Sequence, residues 1–242
     1  MTIDCSYSDL SKMIDHSLLN PTLDQAALEE GIRVAIAYDV ASVCIMPFAL
    51  ARCAELLAPT TVKPSTTIGF PHGGHTTAAK VREAEIALAE GALELDMVIN
   101  ISQALSGNWR YVEEEIEAVT LAAHTAHRAV KVIFENCHLT DNQKIRLCDI
   151  CSSIGVDWVK TSTGYGGGGA TIEDLKLMRA HCPDHVQVKA AGGVRDLDRL
   201  LEVRSLGVSR VGASATKAIL DEARVRLELP AIVSPAGPAA GY

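Results

Sequence analysis

A chain of 242 residues with 48% hydrophobic but only 4% aromatic side chains can bury one sizeable core, filled by Val, Ile, Leu and Ala. A formal net charge of −8 argues against nucleic-acid or membrane-surface partners, and neither a run of about 18 apolar residues nor a signal-like leader is present. Seven cysteines, an odd count without disulfide-like density, suit a reducing cytoplasm, where the protein is expected to reside.

Ser6 to Lys12 predicts a short leading helix. Met13-Ile14-Asp15-His16 predicts a first strand, and Asn20-Pro21-Thr22 breaks the chain. Leu23 to Ala37 is helical, with Leu28, Ile32 and Ile36 on one stripe. Ala41 to Ile45 is a second strand, and Pro47 opens the next helix at its first position. Thr66 to Phe70 is a third strand. The loop Pro71-His72-Gly73-Gly74-His75 follows, and Thr76 caps a helix running to Glu90. Leu93 to Ile99 is a fourth strand; alternation places Glu94, Asp96 and Val98 on one face, Leu95 and Met97 on the other. Tyr111 to His124 is an amphipathic helix whose Glu113-Glu114-Glu115 run is expected to be solvated. Val130 to Phe134 is a fifth strand, placing Lys131 and Glu135 inward as a pair. Cys148 and Cys151 fall inside a helix from Asp141 to Ser153 and are expected to pack rather than bind metal.

Two further strands end in lysine: Val156-Asp157-Trp158-Val159 before Lys160, and Val186-Gln187-Val188 before Lys189. Ser209-Arg210-Val211-Gly212 is the eighth strand, and Ser214-Ala215-Thr216 starts a helix. Eight strand–helix units of about 30 residues nearly use up the chain, which predicts a single-domain (β/α)8 TIM barrel over about 13–226. The tail from Ser234 to Tyr242, rich in Pro, Ala and Gly, is expected to be mobile.

The chemistry gathers on strands four, six and seven. If Asp96, Lys160 and Lys189 all face inward, they converge at the C-terminal barrel mouth, where this fold keeps its active sites. An amine attacks a carbonyl only when neutral, and at a pKa of about 10.4 roughly one lysine in 2,500 is neutral at pH 7. A second ammonium about 6 Å away, at an effective dielectric near 20, costs roughly 2.8 kcal/mol and lowers the pKa by about two units. One lysine can therefore be the nucleophile and the other its perturber; position alone leaves open which is which. Asp96 supplies the carboxylate that imine formation needs for proton transfer. Thr163, Gly164 and Gly166, then Gly192 and Gly193, then Gly212 and Ser214, occupy three successive loops whose N–H groups suit a phosphate.

Three segments, Lys160-Thr161-Ser162-Thr163-Gly164, Val188-Lys189-Ala190-Ala191-Gly192-Gly193-Val194-Arg195 and Glu94-Leu95-Asp96-Met97-Val98-Ile99-Asn100, resemble the signature segments of the deoxyribose-phosphate aldolase family, class I Schiff-base enzymes. The resemblance runs from about Met13 to Ala218. It implies Lys160 as the Schiff-base lysine, Lys189 as the perturbing one and Asp96 as the proton-transfer group, working without cofactor or metal. It implies a small-molecule sugar phosphate, 2-deoxyribose 5-phosphate, cleaved to glyceraldehyde 3-phosphate and acetaldehyde in deoxyribose catabolism. Some family members fold a C-terminal tyrosine over the site, which makes Tyr242 a candidate aid to proton transfer. A homo-oligomer, such as a dimer, stays open.

The chain departs from the family pattern at Ala191 and Ala215, where serines are common, and at Met46 and His138. Both alanines remove hydroxyls near the expected phosphate, and Thr216 is expected to compensate in part. Two competing readings remain: a metal-dependent lyase using His72, His75 and His138 or Cys137, and a sugar-phosphate-binding barrel without turnover.

Overall fold

The computed structural model describes residues 4–232. Eight parallel strands close into a barrel in sequence order: β1 (Ile14–Leu18), β2 (Ser42–Ile45), β3 (Lys63–Ile68), β4 (Glu94–Val98), β5 (Ala129–Ile133), β6 (Trp158–Lys160), β7 (Gln187–Ala191) and β8 (Arg210–Ala213). The helices are α1 (Tyr7–Ser11), α2 (Gln25–Ala37), α3 (Leu50–Leu57), α4 (Thr77–Ala89), α5 (Ile101–Leu105), α6 (Trp109–Thr125), α7 (Asp141–Ile154), α8 (Ile172–His181), α9 (Leu197–Ser205) and α10 (Thr216–Arg226). The expected barrel is therefore present. The tail that begins at Ser234, with Tyr242, lies outside the described residues.

The apolar core is the layer between strands and helices. Val43, Leu95, Met97, Val130, Val132, Val159, Val188 and Val211 are wholly buried there, on the outward face of the strands. That is why the strands read as near-continuous hydrophobic runs. The lumen is different: it holds charge. Helix starts follow local chemistry, with Asp24, Thr76, Thr140, Thr171 and Asp196 each accepting a backbone N–H at an N-cap.

Several boundaries differ from expectation for identifiable reasons. β3 starts at Lys63 rather than Thr66, because Pro64, which reads as a strand breaker, is accommodated near the strand start. Pro47 opens a short 3-10 turn, and α3 begins only at Leu50. α5 was not expected; Asn100 caps it through the Gln103 N–H at 3.2 Å.

Glu115 corrects the reading of its acidic run as solvated. Glu113 and Glu114 are exposed, but Glu115 is fully buried 2.7 Å from the equally buried Lys80. Lys80 also donates to the Val98 carbonyl at 2.7 Å, and Glu115 accepts the Asn100 N–H at 2.8 Å. The pair thus ties α4 and α6 to the C-terminal end of β4, the strand that carries Asp96. Replacing Lys80 by methionine strands a buried carboxylate, so the expected loss is about 3–5 kcal/mol. A denaturant melt with a loss under about 1 kcal/mol would show that the pair is dispensable.

Candidate active site

Alternation along β4, β5, β6, β7 and β8 points Asp96, Lys131, Lys160, Lys189 and Arg210 into the lumen, where register brings them together. Asp96 is the hub. Its Oδ1 accepts from Lys131 at 2.9 Å, and its Oδ2 accepts from Lys160 at 2.8 Å and from Lys189 at 2.7 Å. The two catalytic-candidate nitrogens are therefore no further apart than the sum of two hydrogen bonds, and their Cα atoms are register partners across β6 and β7.

Three members of this network, Asp15, Glu94 and Arg210, were not read as site residues from the sequence. Asp15 on β1 lies 2.5 Å from Lys189 and also pairs with Arg210. Arg210 in turn donates to Glu94 at 2.9 Å, and Lys131 lies 2.7 Å from the same carboxylate. Trp158 faces this layer, its ring 5.1 Å from the Arg210 guanidinium. Lys131 is an inward ion-pair member as expected, but Glu135 is not its partner: Glu135 accepts from Thr163 instead.

The arrangement separates the roles of the two lysines: Lys160 ends β6 as expected, whereas Lys189 lies in the middle of β7, which continues to Ala191. Four buried bases (Lys131, Lys160, Lys189, Arg210) face three buried acids (Asp15, Glu94, Asp96). Lys131, Lys189 and Arg210 each touch at least two carboxylates, and Lys160 touches one, which it shares. Burial pulls Lys160 below the ordinary lysine range, and the Lys189 charge adds to this against the attraction of Asp96. Burial also opposes the Lys189 ammonium, but Asp15 and Asp96 outweigh it and hold its pKa above the usual value. Burial would push the Asp96 carboxyl up, yet Lys131, Lys160 and Lys189 together keep it well below the ordinary range. Of the four bases, Lys160 is the one poised to be neutral. Its depression comes first from burial and only then from its lysine neighbour.

A cavity of about 350 Å³ opens over this network at the C-terminal end of the strands. Lys160 and Lys189 form its floor; Thr163, Gly164, Gly192, Gly193, Gly212 and Ser214 line it. Gly166 does not line it: it packs on Glu135 and Cys137 instead. Thr163 lines the cavity, but its N–H and its hydroxyl both donate to Glu135. Ser17, Asn20 and Arg195 also line it and were not assigned in advance. Cys44 reaches the same space as a thiol, its pKa pushed up to about 11 by burial.

The sequence signature of the DeoC/LacD family aldolases matches residues 10–221. The chain belongs to this family. It is 64% identical to the deoxyribose-phosphate aldolase of Rhodopirellula baltica over 99% of both chains. It is 45% identical to that of Clostridium perfringens strain SM101, over 88% of this chain and 94% of that one. The tetrameric deoxyribose phosphate aldolase of Aeropyrum pernix superposes with a TM-score of 0.84 at 28% identity, covering 90% of this chain and 92% of that one.

In this DeoC/LacD aldolase the two alanine departures are not offset by Thr216. That hydroxyl is fully buried and bonded to His16 Nδ1 at 2.7 Å, away from the cavity. Burial lowers the His16 pKa to about 4, so the ring is neutral at ordinary pH. The cavity wall instead offers backbone N–H groups of the glycine loops, Ser214 and Arg195. Gly192 shapes this wall: its φ is +77°, and an added Cβ would sit 2.9 Å from Gly169 Cα. Gly192→Ala is expected to raise KM for a phosphorylated substrate about tenfold, since it combines backbone strain with a clash. An unchanged KM in steady-state assays would remove this turn from the binding site. Among the described residues no group of three or more His, Cys, Asp or Glu side chains is arranged to hold a metal ion.

Proposed function

We propose that the chain reversibly cleaves 2-deoxy-D-ribose 5-phosphate to D-glyceraldehyde 3-phosphate and acetaldehyde through an imine on Lys160. The observation that carries this reading is Lys160 itself: a buried lysine with a depressed pKa, beneath a cavity, 2.8 Å from a shared carboxylate. Neutral Lys160 attacks the C1 aldehyde of the open-chain sugar, and loss of water from the carbinolamine gives the iminium. The proton of the C3 hydroxyl is removed as the C2–C3 bond breaks. Glyceraldehyde 3-phosphate departs, and the electron pair stays in a two-carbon enamine. Protonation at the former C2 and hydrolysis release acetaldehyde and restore Lys160. Asp96, ionised and held by three lysines, acts through water, with the Lys189 ammonium as the nearby proton source. The phosphate sits against the glycine loops after β6, β7 and β8, with Ser214 and Arg195.

The testing experiment is borohydride reduction of the protein incubated with acetaldehyde, followed by peptide mass spectrometry. A two-carbon adduct on Lys160 alone is expected. Trapping on Lys189 would reverse the roles, and no adduct on folded protein would remove the imine reading.

Lys189→Met gives a second check through pH. Losing the neighbouring charge and leaving Asp96 Oδ2 to Lys160 alone raises the Lys160 pKa. Activity follows the neutral amine, so the rising limb of kcat/KM moves to higher pH, with a loss of about 10²-fold at pH 7. A rate loss with an unmoved limb would show that Lys189 does not tune Lys160.

None of the helices among the described residues is long and apolar enough to cross a membrane. We place the enzyme in the cytoplasm and infer a homo-oligomer, a dimer in its simplest form; light scattering tests the latter.

A further inference from the structure

Glu135 follows β5, and it is the residue whose alternation fails. It is 2% exposed and takes φ 58°, ψ 63°, a left-handed backbone that glutamate disfavours. The neighbouring backbone holds it there. The Phe134 N–H donates to the Lys160 carbonyl at 3.0 Å, and the Asn136 N–H donates to the Thr161 carbonyl at 2.9 Å. The strained turn is thus registered directly on the lysine-bearing strand.

The turn carries the Glu135 side chain under the loop after β6 instead of into the lumen. The Thr163 N–H reaches Oε1 at 3.2 Å and Oε2 at 3.3 Å, and the Thr163 hydroxyl donates to Oε2. Thr163 Oγ1 accepts the Tyr165 N–H at 2.9 Å. Tyr165 then spans the mouth: its hydroxyl donates to the Leu19 carbonyl at 2.8 Å, and its ring meets Phe70 edge-on at 5.5 Å. Gly166 sits on the carboxylate so closely that an added Cβ would lie 2.9 Å from Glu135 Cδ. Glu135 itself does not line the cavity, whereas Thr163, Gly164 and Tyr165 do.

We propose that Glu135 is a positioning residue that clamps the 163–166 loop as one wall of the cavity and so sets the preference for phosphorylated over phosphate-free aldoses. The proposal rests on the aldolase reading of the same site. Two features make a carboxylate suitable. It can accept from the N–H and hydroxyl of one threonine at once, which fixes both backbone and side chain. Those bonds also keep its negative charge turned beneath the loop, away from an incoming phosphate, which it would otherwise repel. The left-handed turn is what allows this: an extended residue at 135 would follow Lys131 and Ile133 into the lumen.

Glu135→Gly removes the clamp while giving the turn the residue that adopts a positive φ most freely, which favours folding. Gly166→Ala keeps the carboxylate but pushes against it. For each variant the measured quantity is kcat/KM with 2-deoxyribose 5-phosphate divided by kcat/KM with 2-deoxyribose. The expected result is a fall in this ratio of about tenfold or more in both. A ratio within about twofold of the unaltered enzyme, or equal losses on both substrates, would overturn the proposal. If Glu135→Gly does not fold, Gly166→Ala decides by the same criterion. Acetaldehyde trapping on the unaltered enzyme keeps the two readings apart. No Lys160 adduct there sinks the aldolase reading, whereas a normal adduct with an unchanged ratio sinks only the clamp.

Discussion

Replacing Lys160 with methionine is expected to lower kcat/KM at least about 10⁴-fold and, at the same time, to leave the fold as stable as before or more so. The first half follows from the imine: no other base in the lumen is placed to be neutral, because Lys131, Lys189 and Arg210 are each held charged by at least two carboxylates. The second half follows from linkage. The Lys160 pKa is lower in the folded protein than the ordinary lysine value. Between those two values the unfolded chain binds the extra proton, so stability rises with pH. Below the folded value the full penalty of a buried ammonium is present, and methionine removes it. The stability advantage of Lys160→Met should therefore be largest below the folded Lys160 pKa and shrink as pH rises from there towards the ordinary lysine value of about 10.4. Urea melts at a lower and a higher pH, beside a cleavage assay, check both halves. Turnover within tenfold of the unaltered enzyme would exclude Lys160 as the nucleophile. A variant less stable at the lower pH would show that the amine is not held under strain.

How much of this was legible in the chain depends on where each residue's partner lies. Lys160, Lys189 and Asp96 could be read because each sits on an alternating strand, and alternation alone fixes the face. Asp15 obeys the same rule, yet its partner Arg210 lies at the far end of the sequence. The two meet only because β1 closes the barrel against β8, with Asp15 in register with Gly212. Nothing local in either strand announces that seam.

Glu115 carried a signal that was overridden. Val112, Glu115, Ile116 and Val119 form one helical stripe, all of it buried, but the adjacent glutamates made the run look solvated. Glu135 carried none: the left-handed turn that removes it from the lumen is not encoded by alternation. Thr216 shows the limit of proximity in sequence. It stands two residues after Ser214, but it begins α10 and bonds to His16 instead of facing the cavity.

Asp96→Asn tests the hub of the network and should separate protonation from catalysis. The substitution leaves four buried bases facing two acids, and it points amide hydrogens or a single neutral oxygen at three ammonium groups. Removing one partner from a buried ion cluster costs about 3–5 kcal/mol. The sign of its pH dependence is fixed by the remaining lysines. Without Asp96 their folded pKa values fall, the unfolded chain binds more protons over the interval so opened, and the variant regains stability as pH rises. Asp96 itself has a depressed folded pKa. Its own contribution is therefore fully present above the unfolded carboxylate value of about 3.9, and is lost only as pH falls through the folded value below it.

Catalytically, Lys160 becomes easier to deprotonate, so the rising limb of kcat/KM moves to lower pH. Its plateau nonetheless drops about 10²–10⁴-fold, because the carbinolamine has lost its carboxylate. A lower plateau with a limb moved to higher pH would mean that Asp96 does not stabilise the Lys160 ammonium. A stability loss under about 1 kcal/mol would mean that the hub is dispensable. The double variant with Lys160→Met closes the argument. Removing a cation from a cluster with too few anions should stabilise Asp96→Asn more than it stabilises the unaltered protein, by about 0.5–3 kcal/mol. Additive effects would show that the two residues do not share the electrostatic balance on which the nucleophile depends.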